Sequence, residues 1–183
     1  IEAFRQRFIE GAVRNGVDGE TADRVYDKLA AFSGFGFPKS HAAAFGLLAY
    51  QSAWLRHHYP AEFLCALLNA QPMGFYPPAS LVRDAQRRGV EVRPPHVNRS
   101  EARCSIEDGA VRIGLEYVSS LGADDAKAVA AASPFESVVE LAQRTSIGRE
   151  GLESLIASGA CDSLGATRRA LLWELGLVPR SQS

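Results

Sequence analysis

The stretch LEYVSSLGADDAKAVAAA, residues 115–132, decides the fold that the sequence predicts. A short apolar segment leads through a glycine-containing turn into an alanine-rich helix. The same order recurs further along, where a helix predicted at residues 152–157 is followed by Ser158-Gly159-Ala160 and by a last helix near Ala166. The sequence therefore predicts a short helix, a glycine hairpin and a second helix, arranged twice.

The residues before this repeat show mainly helical spacing of apolar side chains. Helices are predicted at residues 2–15, 22–32, 40–58, 61–69 and 79–88, and short strands at residues 90–92, 102–106 and 110–113. The Asp108-Gly109 step predicts a tight turn between the last two strands. The helix from Ser40, a candidate N-cap, is apolar nearly all round, so we expect it to be buried. Trp54 and Trp173 are expected in the core.

The overall composition predicts a packed protein without a strong charge bias. Apolar residues make up 46% of the chain, and 20 basic side chains stand against 21 acidic ones. Since free-standing nucleic-acid-binding domains usually carry a basic excess, any DNA contact must come from local charge and from backbone groups. Three widely separated cysteines without metal-ligand spacing fit a reducing cytoplasm.

The glycine turns are the first candidate binding site. Glycine lets the backbone approach a DNA phosphate closely, and N–H groups at a helix start can hold the phosphate. The alternative is that these glycines are ordinary helix caps. Asp124 and Asp125 would repel phosphate, so the first turn is expected to bind DNA more weakly. The candidate DNA-binding residues are Ser120, Gly122, Lys127, Arg149, Gly159, Arg168 and Arg169.

The segment GFPKSHAAAF, residues 36–45, is the second candidate site. A loop delivers Lys39, Ser40 and His41 to the start of a long helix, where free N–H groups favour an anion. A lysine adds a positive charge for phosphate oxygens. The alternative is a helix start with a solvated lysine and a histidine that caps a neighbour.

Residues 36–45, followed by AYQSAWLRHHYPAEF at residues 49–63, resemble the fingers segment of bacterial C-family DNA polymerases, the polymerase III alpha-subunit family. The segments QPMGFY at residues 71–76 and RPPHVN at residues 93–98 are similar to its error-prone, ImuC-type branch. Replicative members typically have Asn where this chain has Pro38, which also favours the error-prone branch. The resemblance covers nearly the whole chain in order.

This resemblance implies a mostly α fold with a few short β-strands. Residues 1–99 would form the later part of the fingers, and residues 100–183 a small β-hairpin followed by tandem helix-hairpin-helix modules. Lys39, Ser40 and His41 would lie near the phosphates of the incoming nucleotide. The parent protein would be an error-prone DNA-directed DNA polymerase that acts in translesion synthesis and DNA repair.

The chemistry of the reaction is expected outside this piece. Polymerases need two metal ions held by clustered acids, and the acids here are scattered. The resemblance places the catalytic aspartates and Mg²⁺ in a palm upstream, so no catalytic residue, metal site or cofactor is expected here. The implied partners are primer-template DNA, deoxynucleoside triphosphates, a sliding clamp and accessory translesion proteins, in the cytoplasm at the nucleoid.

Two other interpretations of the sequence stay open. One is the replicative polymerase III alpha subunit, against which Pro38 and residues 71–76 argue. The other is a non-enzymatic DNA-binding or scaffold module of a repair complex, which would be expected to show the basic excess that this chain lacks.

Overall fold

A computed structural model describes residues 4–32, 39–165 and 167–177 of the chain, which divides into two compact units, residues 1–53 and 54–183. The helices of the described residues are α1 (Arg5–Arg14), α2 (Gly19–Phe32), α3 (Lys39–His58), α4 (Pro60–Asn69), α5 (Pro78–Arg87), α6 (Ala123–Ala132), α7 (Val138–Arg144), α8 (Arg149–Ala157) and α9 (Arg168–Leu177). The strands are β1 (Val92–Arg93), β2 (Ser105–Glu107) and β3 (Ala110–Arg112). The predicted fold class, mostly α with a few short strands, is confirmed.

In the first unit, α1 and α2 pack against each other through a ring contact and a charge cluster. The rings of Phe8 and Tyr26 lie 5.4 Å apart, and Tyr26 is buried. Arg5 on α1 forms ion pairs of 2.7 Å with Asp23 and 2.8 Å with Asp27 on α2. These contacts fix the register of the two helices.

Helix α3 is exposed along its whole length, so the prediction that it is buried is wrong. A helix that is apolar on all sides needs neighbours on all sides, and the described elements do not surround it. The helix begins at Lys39, so Ser40 lies in the first turn rather than at the predicted N-cap. Exposures of 43% to 67% are found for Phe45, Leu47, Leu48, Tyr50, Trp54 and Leu55.

Two neighbouring helices of the second unit start at prolines. Pro60 opens α4 and Pro78 opens α5, positions where the missing N–H of proline costs nothing. The apolar face of α4 packs against the sheet and the end of α5. This cluster contains Ala61, Leu64, Cys65, Leu68, Val90, Cys104 and Val111.

The three strands form one sheet in the order β1-β3-β2. The predicted β-hairpin is confirmed: β2 and β3 pair antiparallel, with Ile106 opposite Val111. Asp108 (φ 53°) and Gly109 (φ 79°) both have positive φ, as the tight two-residue turn requires. The parallel pairing of β1 with β3, which sets Val92 opposite Val111, was not predicted.

The larger core lies among α6, α7, α8 and α9. Val97 is fully buried in it, and its N–H donates to the carbonyl of Ala160 at 3.0 Å. The predicted division between residues 1–99 and 100–183 concerns polymerase domains and stays a prediction, although Val97 packs with residues beyond it. Leu171 and Leu175 place α9 in this core. Trp173 is 77% exposed, so its predicted core position is wrong.

Candidate nucleic-acid interface

Two turns in the second unit have the same backbone geometry. Hairpin 1, residues 119–122, ends at Gly122 (φ −71°, ψ 163°), the N-cap of α6. Hairpin 2, residues 145–148, ends at Gly148 (φ −63°, ψ 155°), the N-cap of α8. The residue before each glycine, Leu121 and Ile147, is buried at 7% exposure. The structural repeat therefore has a period of 26 residues, from Gly122 to Gly148.

The two hairpins meet at one glycine of α8. A Cβ atom on Gly151 would lie 2.7 Å from Cγ2 of Ile147 and 3.2 Å from Cδ1 of Leu121. The same atom would lie 3.3 Å from the carbonyl oxygen of Ser120. The Ser120 hydroxyl also donates to the carboxylate of Glu150 at 2.8 Å. The hairpins are thus held in a fixed mutual position by close packing.

At the starts of α6 and α8, no side chain of the N-cap residue accepts a hydrogen bond from the first backbone N–H groups. Gly122 and Gly148 provide no side-chain cap, whereas Ser137 caps the neighbouring α7 by accepting a hydrogen bond from the N–H of Glu140 at 3.1 Å. The first N–H groups of a helix lack partners within the helix. Uncapped helix starts can therefore offer these donors to an anion such as a phosphate.

Charge differs between the two hairpins. The first turn of α6 carries Asp124 and Asp125, and Lys127 is paired with Asp124 at 3.1 Å. The first turn of α8 carries one acid, Glu150, and one base, Arg149, which is paired with Glu153 at 2.8 Å. Acidic side chains at a helix start compete with an incoming phosphate. Because α6 has two such acids and α8 has one beside an arginine, hairpin 2 is electrostatically the better anion site.

Gly159, which the sequence suggested as the second hairpin glycine, instead ends α8. Its φ is +86°, and the N–H groups of Gly159 and Ala160 donate to the carbonyls of Ile156 and Leu155 at 3.1 and 3.0 Å. This is the hydrogen-bond pattern of a Schellman cap. DNA contact by Gly159 stays a prediction, but its backbone conformation is that of a helix cap.

Arg168 covers this cap. Its guanidinium forms two hydrogen bonds to Asp162, of 2.8 and 2.7 Å, and a third of 3.3 Å to the carbonyl of Ala157. The hydrogen bonds from Arg168 hold the pKa of Asp162 below its usual range. Arg169 next to it is exposed and forms no ion pair with any residue that the structure describes. Of these two predicted contacts, Arg169 is the more available to a ligand.

The predicted nucleotide site lies in the other unit, at the start of α3. Lys39, Ser40 and His41 are all exposed, and the His41 ring lies 4.5 Å from the ring of Phe45. Lys39 forms no ion pair with any described residue. The preceding loop, with Pro38, lies outside the described residues, so nucleotide binding here stays a prediction.

Further properties of the described residues bear on chemistry. Within residues 4–32, 39–165 and 167–177, no three His, Cys, Asp or Glu side chains are grouped closely enough to hold a metal ion. Burial raises the pKa of the Cys161 thiol to about 12. No helix of this part of the chain is long and apolar enough to cross a membrane.

Sequence reasoning missed Ile147 and Gly148. The signal was present, because Ser-Leu-Gly at residues 120–122 recurs as Ser-Ile-Gly at residues 146–148. Gly159 also follows a predicted helix, and a helix cap and a hairpin glycine have the same local appearance in sequence.

Comparisons with known proteins agree with this geometry. Residues 89–171 match a family model described as a helix-hairpin-helix motif. The chain is 46% identical over 179 residues to an error-prone DNA polymerase of Corynebacterium efficiens, and 45% identical over 179 residues to one of Corynebacterium glutamicum. Each match covers 97% of this chain and 17% of the relative.

A third relative, an error-prone DNA polymerase of Alkalilimnicola ehrlichii, is 47% identical over 180 residues, which cover 94% of this chain and 18% of the relative. The chain thus spans about a sixth of the length of the curated relatives it matches. The predicted resemblance to the error-prone branch is confirmed.

Proposed function

We propose, from the similarity of nearly the whole chain to one segment of error-prone DNA polymerases, that its parent protein is such a polymerase. The parent would extend a primer by template-directed nucleotide addition, in translesion synthesis and DNA repair. Within that protein, the role of this chain would be to hold duplex DNA. The observation that supports this role is the pair of uncapped glycine helix starts at Gly122 and Gly148.

Each hairpin would hold one backbone phosphate. Because glycine has no side chain, the phosphate oxygens can come within hydrogen-bond distance of the first N–H groups of α6 or α8. Such contacts position a protein on the duplex without reading its sequence. Binding would therefore be independent of sequence, and it needs no basic excess, in agreement with the net charge of −1.

Hairpin 2 would contribute more than hairpin 1. Two acids, Asp124 and Asp125, oppose a phosphate at α6. At α8 a single acid, Glu150, stands beside Arg149, which can add a positive charge if it leaves Glu153. Arg169 provides a further exposed cation. If two to four phosphates are neutralised, the log–log salt slope of duplex binding should be about −2 to −4.

The test is duplex binding by the 183-residue chain carrying Gly148→Asp. A Cβ on Gly148 would meet nothing within 4 Å, and aspartate is a good N-cap, so the helix should remain intact. Its carboxylate would occupy the place of the phosphate. We expect duplex affinity, measured by fluorescence anisotropy, to fall about ten- to a hundredfold, the loss of a charge-assisted contact.

The matched control is Ser137→Asp, which adds the same charge at the start of α7 and keeps the cap. It should leave duplex affinity nearly unchanged. Equal affinity of the Gly148→Asp and Ser137→Asp variants would show that hairpin 2 is a structural turn only. Gly122→Asp should have a smaller effect than Gly148→Asp, since acids already surround hairpin 1.

A second role in the same reaction is proposed for the start of α3. Lys39, Ser40 and His41 would contact the phosphates of the incoming deoxynucleoside triphosphate. Their exposure in the first turn of a helix supports this proposal, since a helix N-terminus favours an anion. The polymerase would obtain Mg²⁺ and its catalytic acids from its palm, and it would work with a sliding clamp and accessory translesion proteins at the nucleoid in the cytoplasm.

A further inference from the structure

The outer face of α5 carries positive charge that acidic side chains do not balance. Residues 71–90 contain three arginines and one acid, whereas the whole chain has a net charge of −1. Asp84 is paired with Arg88 at 3.1 Å. Arg83 and Arg87 are four residues apart, on one face of the helix, and both are exposed. Neither forms an ion pair with any residue in the described part of the chain.

Another arginine adds to this charge. Arg56, Asp84 and Arg88 line the same small pocket between α4 and α5. A hydrogen bond from Arg88, together with the charges of Arg56 and Arg87, holds the pKa of Asp84 below its usual range. One carboxylate, paired with Arg88, therefore lies near two further guanidinium groups, and the surface keeps a positive excess.

Two aromatic rings stand exposed just before this helix. Phe75 is 101% exposed and Tyr76 is 67% exposed, and only Pro77 separates them from the start of α5 at Pro78. Because an α-helix rises about 1.5 Å per residue, Arg83 and Arg87 lie within about 15 Å of that start. The exposed rings and the exposed arginines thus lie within about 15 Å of one another along the helix axis.

The loop that carries the rings is held at its base. The side chain of Asn69 and the backbone of Cys104 exchange two hydrogen bonds, of 2.8 and 2.9 Å. The Gln71 side chain accepts from the N–H of Met73 at 3.2 Å. The loop therefore presents Phe75 and Tyr76 from a base that is fixed in the folded chain, which lowers the entropy that binding would cost.

We propose that Phe75, Tyr76, Arg83 and Arg87 form a contact surface for single-stranded DNA, with the rings stacked on unpaired bases and the arginines on phosphates. Aromatic rings beside cations are the combination that binds single strands without sequence preference. In a duplex, the faces of the bases are covered by their neighbours, so the rings would have nothing to stack on. The inference rests on the proposed function in taking the strand to be DNA.

The proposed arginine–phosphate contacts are tested with the double variant Arg83→Gln/Arg87→Gln of the 183-residue chain. The probe is a fluorescein-labelled oligothymidine. Anisotropy titrations across salt should show a log–log slope shallower by about 1.4, since each phosphate contact on a single strand contributes about 0.7. The control Arg7→Gln/Arg14→Gln removes the same charge from the exposed surface of α1 and should leave the slope unchanged.

The proposed stacking of the two rings on bases is tested with the double variant Phe75→Ala/Tyr76→Ala. Affinity for the oligothymidine should fall about tenfold or more, since each base–ring stack is a substantial part of the binding energy. The salt slope should not change, because no charge is removed. Trp173→Ala, which removes another exposed ring, should leave affinity unchanged. Since all four side chains are exposed, circular dichroism should show every variant folded.

A blunt duplex probe separates this inference from the proposed function. The α5 and loop variants should keep duplex affinity, while Gly148→Asp should lose it and keep oligothymidine binding. The inference would be overturned if the chain did not bind oligothymidine at low salt, or if the Arg83→Gln/Arg87→Gln variant bound it as well as the original chain. Neither result would contradict duplex binding by the hairpins. Equal losses on single-stranded and duplex probes would also overturn it, because the arginines would then act as a general charge.

Discussion

The guanidinium of Arg168 occupies the space where a side chain on Gly159 would lie. A Cβ atom on Gly159 would overlap Nη2 of Arg168 and would lie 3.0 Å from a carboxylate oxygen of Asp162. This relationship joins the end of α8 to the start of α9. It makes Gly159 a packing position as well as a left-handed cap.

Gly159→Ala should therefore destabilise the second unit. The left-handed backbone at φ +86° costs about 1–2 kcal/mol for a residue with a Cβ atom, and Arg168 must also move. Urea unfolding followed by circular dichroism measures the change in the free energy of unfolding. In a double-mutant cycle with Arg168→Ala, the two losses should be less than additive. Unchanged stability together with lost duplex binding would instead make Gly159 a DNA contact.

Gly151→Ala should destabilise the chain although alanine favours a helix. The added methyl group would overlap Ile147 and Leu121 and force the hairpins apart, at a cost of about 1–3 kcal/mol against a gain of about 1 kcal/mol from helix propensity. The control Gly11→Ala lies in α1, where a Cβ would meet nothing within 4 Å, so it should stabilise slightly. Opposite signs in urea unfolding are the expected result; stabilisation by both would show that hairpin packing is loose.

Glu107 should make the free energy of unfolding depend on pH in the acidic range. Burial raises the pKa of this carboxyl, but hydrogen bonds from Arg112 and Arg93 lower it more, so the net pKa lies below the usual value. A carboxyl with a depressed folded-state pKa adds stability at neutral pH, and this contribution is lost as pH falls from the unfolded value of about 4.3 through the folded value.

The variant Glu107→Gln tests this acid dependence. It removes the charged partner of Arg112, whose side chain is only 7% exposed, and should cost about 1–3 kcal/mol at pH 7. The difference between the variant and the original chain in urea unfolding should shrink toward pH 3. A difference that stays constant with pH would assign the loss to packing rather than to charge.

Lys39→Ala in the full polymerase should weaken the use of nucleotide. Losing one charge-assisted contact to a phosphate costs about 1.5–3 kcal/mol, or about ten- to a hundredfold in kcat/KM for the nucleotide. Steady-state kinetics on a primed template measures this ratio. The control Lys28→Ala removes the same exposed charge from α2 and should have no effect. If both variants had the same kinetics, Lys39 would be a solvated side chain without a role in nucleotide binding.

The 183-residue chain by itself should not extend a primer. The described residues contain no cluster of acids that could hold the two metal ions of nucleotidyl transfer. Incubation with primed template, Mg²⁺ and nucleotides should leave the primer length unchanged on a denaturing gel. Template-dependent extension by a preparation free of other polymerases would contradict this expectation.

The sequence by itself determined the local elements. Pro60 marked the first turn of α4, and Asp108-Gly109 marked the β-turn, since proline and glycine restrict or free the backbone wherever they stand. The ordered motifs also determined the family resemblance, since many short matches in one order are specific. These signals depend only on a few consecutive residues.

The tertiary structure alone decided which glycines act alike. Gly148 at φ −63° starts a helix and Gly159 at φ +86° ends one, although both stand beside short helical segments. It also decided that Arg168 caps α8 and that β1 joins β3, because both contacts are made between residues distant in the chain. The exposure of α3 has the same cause: helical periodicity shows which residues could be buried, but only neighbouring elements bury them.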